Sequence, residues 1–396
     1  MTATHPNRDG IIYLDNAATS WPKPASVSEA MVRFLRDVGA NPGRSGHRLA
    51  NEAERARLDA REVIAELVGV SDVMRVVFTS NATTALNLVL QGWLTPGSHV
   101  VTTGMEHNAV LRPLRALESR GVKTSIVPCR TDGTLDPASI NEHIRPETRL
   151  VVATHASNVC GTILPIRDIG AWARERGIPF LVDAAQTAGI VPIDLETDNV
   201  DLLAFTGHKG LLGPTGTGGL AIGARFDIDG LPPLICGGTG SRSEHEWQPD
   251  FLPDKYEGGT PNIVGLVGLL AGVRYVLDRG VEQIREHEQR CSQQLIDGLV
   301  RIDGVRVVGT RDATQQTGVV SFVPEGHSVS AVARDIEERH GIMCRPGLHC
   351  APRAHRTLGT LPDGTVRLAP GPFTSEKEID QAIAAVAQMA EVQSDA

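Results

Sequence analysis

Lys209 stands in Phe205-Thr-Gly-His-Lys209-Gly, directly after an apolar run and ahead of the glycine-rich Gly210-Leu-Leu-Gly213-Pro-Thr-Gly216. An amine held there is partly desolvated, which lowers its pKa and frees it for Schiff-base chemistry. A solvated lysine in a turn is the plainer explanation of that residue taken alone. Asp183 ends the run Phe180-Leu181-Val182, where a carboxylate can pair with a protonated ring nitrogen or simply cap the helix opened by Ala184-Ala185-Gln186. Thr79-Ser80-Asn81-Ala82-Thr83-Thr84 follows another such run and opens an apolar helical pattern, so its hydroxyls and free backbone N–H groups suit a phosphate as well as an ordinary cap. Further on, Arg345-Pro-Gly-Leu-His349-Cys350-Ala-Pro puts one thiol in a Gly/Pro-rich loop, with Arg345, His349 and Arg353 as neighbours able to lower its pKa. Free cysteines are more often packed core residues. Arg367, in the short strand Val366-Arg367-Leu368, carries the forked guanidinium that suits a carboxylate, against an ordinary surface ion pair.

These groups need elements to hold them. Runs at 75–78, 99–102, 149–152, 179–182 and 202–205 read as buried strands, and their alternation with helical patterns predicts an α/β fold with a mostly parallel sheet covered by helices. Each run ends in a polar cluster, and ligands of open α/β sheets bind just beyond the carboxyl ends of the strands. After Asn262 the pattern changes to helices over 263–277 and 281–302, strands near 305–308 and 318–322, and a helix over 329–340. The expected organisation is a large domain over 15–275 and a smaller α+β domain over 276–396 that carries the Cys350 loop, with residues 1–14 packing near the smaller one. Residues 237–259 read as a long polar loop.

At 396 residues, 41% hydrophobic and 21% charged, the composition belongs to a folded globular chain rather than a disordered one. A net charge of −9 with no basic stripe argues against nucleic acid as a partner. The polar first ten residues lack an apolar signal core and no stretch of eighteen apolar residues occurs, so a cytoplasmic address with no membrane span is expected. Six cysteines without a C-x-x-C pair speak against a disulfide framework or a metal site.

The motifs also run in one order: Tyr13-Leu-Asp-Asn-Ala-Ala-Thr19, Asn81-Ala82-Thr83, Met105-Glu-His107-Asn, His155-Ala-Ser-Asn158-Val-Cys-Gly-Thr, Val182-Asp183-Ala-Ala-Gln186, Gly207-His208-Lys209, Gly258-Gly-Thr260-Pro-Asn262 and Arg345-Pro-Gly-Leu-His-Cys350. In this the chain resembles the class V branch of fold-type I pyridoxal 5'-phosphate (PLP) enzymes, and more narrowly the group II-type cysteine desulfurases and selenocysteine lyases. The resemblance implies PLP held on Lys209, with Asp183 at the ring nitrogen, Gln186 at the phenolic oxygen, and His107 stacked on the ring and relaying a proton. It implies Ala82, Thr83, Thr206 and His208 around the phosphate, and Thr260 reaching the phosphate of a neighbouring subunit, hence a homodimer. Asn158 and Arg367 would bind the substrate carboxylate, with His47 and Arg345 on the substrate side. Cys350 would take sulfur from L-cysteine as a persulfide, leaving L-alanine, and pass it to a protein or small-thiol acceptor. After Cys350 the chain reads Ala-Pro-Arg-Ala-His-Arg-Thr-Leu-Gly, unlike the better-known sulfur-mobilising members, which leaves the acceptor open. Cys160 and Cys344 do not match the nucleophile position, and packing is expected of both. The alternatives are cleavage of L-selenocysteine without dependence on Cys350, another class V reaction such as aminotransfer or epimerisation, and a non-catalytic scaffold. The joint presence of Lys209, Asp183 and Arg367 argues against the scaffold.

Overall fold

The structure is a computed structural model that describes residues 10–43 and 45–391. It opens with β1 (Ile12–Tyr13), α1 (Ala25–Asp37) and α2 (Arg48–Val68). Strands and helices then alternate through β2 (Val76–Thr79), α3 (Ala82–Trp93), β3 (His99–Thr103), α4 (Asn108–Glu118), β4 (Lys123–Val127), α5 (Ala138–Glu142), β5 (Thr148–Thr154), α6 (Ile166–Glu175), β6 (Phe180–Asp183), β7 (Leu202–Thr206) and β8 (Gly218–Ile222). A long irregular stretch leads to α7 (Ile263–Arg279), α8 (Val281–Leu299), β9 (Val305–Val308), β10 (Val320–Pro324), α9 (Val329–His340), β11 (Ile342–Met343), β12 (Arg345–Gly347), α10 (Pro352–Thr357), β13 (Thr365–Leu368) and α11 (Glu376–Glu391).

Seven strands form one sheet in the order β2-β8-β7-β6-β5-β3-β4, parallel except for β8, which runs antiparallel to both of its neighbours. The apolar runs are nearly continuous because both faces are buried. Val101, Val151, Ala153, Phe180, Val182 and Leu203 pack on one side with residues of α2, α6 and α7. Val100, Leu150, Val152, Leu181 and Leu202 pack on the other with α3 and α4. Because β3, β5, β6 and β7 are parallel neighbours, their carboxyl ends lie along one edge. The polar clusters at 106–108, 155–158, 183–186 and 207–209 all emerge there.

The expected parallel α/β sheet is therefore present, with two strands the apolar pattern did not reveal. In β4, Lys123 is exposed and Thr124 and Ile126 half-buried, so the strand lacks a continuous apolar signal. In β8, Gly218-Gly219 replaces bulky residues, and the reason is packing: a Cβ on Gly219 would collide with the Val77 carbonyl and the Phe205 ring.

A second sheet, β12-β13-β10-β9, is wholly antiparallel and packs its apolar residues against α8, α9 and α11. α7 packs on α1 and α2 while α8 packs on α11, and the chain turns from one helix to the other at Gly280, whose φ is 85°. β1 pairs in parallel with β11, tying the start of the described chain to this second unit. Residues 1–9 of the predicted amino-terminal segment lie outside the described residues. Among the described residues no helix is long and apolar enough to cross a membrane.

Gly219→Ala is expected to destabilise the fold by about 1–3 kcal/mol, the usual cost of overpacking a filled core, read as a lower midpoint in urea unfolding.

Candidate active site

At the carboxyl edge of the parallel strands lies a cleft of about 500 Å³ lined by Asn81, Ala82, Thr83, His107, Asn158, Asp183, Gln186, Thr206, His208 and Lys209, among others. All ten of these residues were named in the sequence, nine of them with an expected role, although they come from five separate segments. The topology brings them together because each follows a parallel strand or begins the next helix.

The lysine loop is held by its backbone. Gly207 N donates to Thr217 O at 2.8 Å and Gly213 N to Gly207 O at 2.8 Å. The amino-terminal segment clamps it further: Ser20 N (2.9 Å) and the hydroxyls of Thr19 (3.1 Å) and Ser20 (3.2 Å) all donate to the His208 carbonyl. Lys23 Nζ donates to Ser20 Oγ at 2.8 Å beside them. The backbone that carries Lys209 is thus fixed at the cleft, and burial lowers the amine's pKa to about 8, with Arg367 and Arg345 pushing the same way and Asp183 and Asp15 opposing. A large share of the amine is therefore neutral and nucleophilic near pH 8.

Asp183 is buried, and burial raises its pKa. One of its oxygens accepts from Ala185 N at 3.0 Å, so it caps the following turn and faces the cleft at once. Behind it sits Glu106, fully buried, accepting from Thr103 Oγ1 at 2.6 Å and Thr154 N at 3.0 Å through one oxygen while the other has no partner. Burial, reinforced by the nearby Asp183 charge, pushes Glu106 up to about 8. His107 caps α4, its Nδ1 accepting from Ala109 N at 3.0 Å. Burial, then Lys209, Arg345 and Arg112, lower its pKa to about 4, so the ring is neutral with its proton on Nε2.

The residues fit PLP. Asn81 Oδ1 caps α3 by accepting from Thr84 N at 2.9 Å, leaving the N–H groups of the first turn at Ala82 and Thr83 beside the cleft as an anion cradle. His208 Nδ1 is buried without a partner, a polar atom that a bound group would satisfy. A desolvated lysine and a buried carboxylate complete the donor set for a pyridine aldehyde phosphate. Thr260 lies elsewhere, in a neighbouring groove with Thr79, Ser80 and Thr84.

Arg345 and Arg367 face each other across the β12–β13 register. Arg367 is 1% exposed, not a surface residue, and its ion pair is internal: Nη2 meets Asp15 Oδ1 at 2.6 Å. Its Nη1 donates to Asn158 O at 3.0 Å, and its buried Nε has no partner. Asn158 Nδ2 in turn donates to His349 O at 2.7 Å, and Asn108 N to Cys350 O at 2.9 Å, so the cysteine loop is tethered from two sides. His349 and Cys350 both adopt the left-handed backbone conformation, with φ of 48° and 57°. This turn leaves Cys350 exposed.

Two expectations need correction. His349 is not a basic neighbour of the thiol: it is buried, its Nε2 bonds Arg345 O at 3.0 Å, and burial lowers its pKa to about 3, so it is a neutral strut of the loop. It stacks on His355, whose Nδ1 meets Thr360 Oγ1 at 2.7 Å. His47 is exposed, caps α2 by accepting from Ala50 N at 3.2 Å, and does not line the cleft. Burial raises the Cys344 thiol to about 12 and also raises Cys160, which keeps both as thiols. Asp15 and Glu106 went unassigned in the sequence, although both stand inside quoted motifs; an acidic residue shortly after a strand was the available signal. Among the described residues no cluster of His, Cys, Asp and Glu could hold a metal ion.

The family described as Aminotransferase class-V matches residues 12–382. A probable cysteine desulfurase of Methanothermobacter thermautotrophicus is 35% identical over 373 residues, covering 93% of this chain and 92% of that protein. A cysteine desulfurase of Haloferax volcanii is 34% identical over 389 residues, covering 95% and 88%. The apo structure of a cysteine desulfurase from Thermococcus onnurineus superposes with a TM-score of 0.90 at 32% identity, over 99% of this chain and 100% of that one. A cysteine desulfurase from Escherichia coli gives a TM-score of 0.86 at 29% identity, over 97% and 96%.

Glu106 offers a test of these electrostatics. Its folded pKa is raised, so its neutral form favours the fold below pH 4.5 and that contribution is lost as pH rises through about 8. Glu106→Gln keeps an acceptor oxygen and removes the titration. Its melting temperature is expected to match the unsubstituted protein's at pH 5 and to exceed it at pH 9, measured by thermal unfolding at both pH values.

Proposed function

The chain belongs to the class V aminotransferase family, and from that membership we propose a PLP-dependent cysteine desulfurase that converts L-cysteine to L-alanine and takes the sulfur onto Cys350. The observation that carries this reading is the exposed Cys350 thiol on a loop tied through Asn158 and Asn108 to the walls of the cleft that holds Lys209. Its relatives with the name cysteine desulfurase span nearly the same length of chain.

When bound, PLP supplies an electron sink that weakens the bonds around the substrate's α-carbon. On this reading Lys209 carries the cofactor and then, as a neutral amine near pH 8, moves the α-proton. Asp183 would hold the ring nitrogen protonated, Gln186 would face the phenolic oxygen, and Ala82, Thr83, Thr206 and His208 would hold the phosphate. His107, neutral, would stack on the ring and serve as proton relay for the substrate thiol. Cys350 Sγ attacks the substrate sulfur. The S–Cβ bond breaks, a proton takes the place of sulfur on the β-carbon, and L-alanine leaves with the sulfur retained as a persulfide. A protein or small-thiol acceptor removes it. Thr260, outside the Lys209 cleft but beside the strand and helix that cradle its phosphate, is assigned to the cofactor of a second subunit in a homodimer. A reducing, cytoplasmic compartment suits six free thiols.

Arg367 is assigned to the substrate carboxylate with Asn158, and Arg345 supports it from the facing strand. Asp15 holds the Arg367 guanidinium before substrate arrives, so the incoming carboxylate competes with an internal one. Asp15→Asn is expected to lower the KM for L-cysteine several-fold while lowering the melting temperature, since Arg367 would keep a buried charge without its counter-ion. An unchanged KM would remove Asp15 from this role.

Cys350→Ala is expected to cut alanine formation from L-cysteine by more than about 100-fold, the scale of losing a sole nucleophile, with PLP loading intact by absorbance. Mass spectrometry of the Cys350 peptide after reaction with L-cysteine should show one added sulfur. Full alanine formation in the variant would overturn the mechanism.

A further inference from the structure

Beside the Cys350 loop, α4 and α10 face each other across a groove of about 640 Å³. Its walls carry Arg112 and Arg115 from α4 and Arg353 and Arg356 from α10, with Asn108 and Pro352 at the end next to the cysteine. Asn108 is the residue whose N–H holds the Cys350 carbonyl at 2.9 Å, so groove and nucleophile share one wall. Each arginine pair has i,i+3 spacing and therefore lies on one face of its helix.

Four arginines lining one groove are unusual for a chain of net charge −9. Only Arg115 has a carboxylate partner among the described residues, Glu118 at 2.7 Å. Arg112, Arg353 and Arg356 form no ion pair among them. Burial and the like charges of Arg356 and Arg115 hold Arg353 below its usual range. Arginines that serve the fold elsewhere meet a carboxylate or a backbone carbonyl, as Arg61 meets Glu257 and Arg285 the Gln316 carbonyl, and like charges at helical spacing otherwise cost a few tenths of a kcal/mol each. These are not matched, and the groove lies open, with Arg112, Arg115, Pro352, Arg356 and Cys350 all exposed.

We propose that this groove docks the sulfur acceptor, and that the acceptor is an acidic polypeptide segment bearing a cysteine. The inference rests on the desulfurase reading of the site and names its partner's chemistry. An open furrow over two helices fits an extended chain better than a compact ligand, and its charge selects carboxylates flanking the acceptor thiol. The transfer balances without an outside oxidant. The acceptor thiolate bonds to the terminal sulfur of the Cys350 persulfide, the existing S–S bond breaks, and Cys350 leaves as thiolate.

The test uses the PLP-loaded full chain and two short peptides, each with one cysteine, flanked by glutamates in one and glutamines in the other. Dithiothreitol and glutathione serve as small-thiol controls. Persulfidation of each peptide is followed by mass spectrometry at low and high salt, alongside alanine release. The glutamate peptide is expected to react at least roughly tenfold faster at low salt, the lower end of electrostatic steering, with the advantage collapsing at high salt. Combined Arg115→Gln and Arg356→Gln, at two exposed positions of the groove, should abolish the advantage and leave alanine release with dithiothreitol unchanged. Should that variant fold poorly, the single change of exposed Arg356→Gln and the salt dependence of the unsubstituted enzyme carry the same comparison. Equal, salt-insensitive rates for the two peptides would overturn the proposal. So would glutathione matching the glutamate peptide, since the groove would then serve a small anion. Alanine release with equal peptide rates removes the groove proposal alone, whereas no alanine with any acceptor removes the desulfurase reading and the groove proposal together.

Discussion

Burial of the Lys209 amine is the constraint on which the rest of the site depends. An ammonium taken out of water is costly, and the surroundings resolve that cost by favouring the neutral form near pH 8. Three cations, Lys209, Arg345 and Arg367, are drawn within reach of one another, and Asp183 and Asp15 only partly offset them. Such a cluster is poorly suited to an empty protein and well suited to anions. The phosphate cradle at α3 and the Arg367 guanidinium with its free Nε are two places where negative charge would relieve it. Glu106 has the opposite problem, a carboxyl behind Asp183 with one oxygen unpartnered, and it is held close to neutrality by the same lack of water.

The sheet and most of the site could be read from the chain because both depend on local signals. A buried parallel strand is a short apolar run, and the polar residues just after it must sit at the sheet's edge. Lys209, Asp183, His107 and the Asn81–Thr83 turn were found that way. β8 escaped because its pairing depends on what glycine leaves out, room for the Val77 carbonyl and the Phe205 ring, which no apolar pattern records. Asp15 escaped for another reason: its partner Arg367 is distant in sequence, and only the pairing of β1 with β11 and the bridge between Asp15 and Ala369 bring the two together. His47 was misplaced because its neighbours resemble a site, whereas its side chain serves a helix end. His349 shows the same limit, since adjacency to Cys350 in sequence did not decide which way its ring would turn.

The cysteine loop joins rigidity to exposure. Two consecutive left-handed residues, a buried stack of neutral histidines and tethers from Asn158 and Asn108 fix its backbone, yet the thiol itself stands in solvent. Asn158 links this loop to Arg367, its backbone carbonyl accepting from the guanidinium and its side-chain amide donating to His349 O, so a group bound at Arg367 and a group bound at Cys350 act on one residue. The basic groove adds a third participant along the wall made by Asn108.

The Asp15–Arg367 pair closes a gap of 352 residues in sequence, and the hydroxyls at positions 19 and 20 reach across nearly 190 more to the His208 carbonyl. During synthesis Thr19 and Ser20 can find the His208 carbonyl about halfway along, but Asp15 must wait, unpaired, until almost the whole chain has left the ribosome. The large sheet can assemble earlier, since its strands follow one another closely. Competence would then be the last property the molecule acquires, and a chain released before β13 would hold a cleft with no means of gripping a carboxylate.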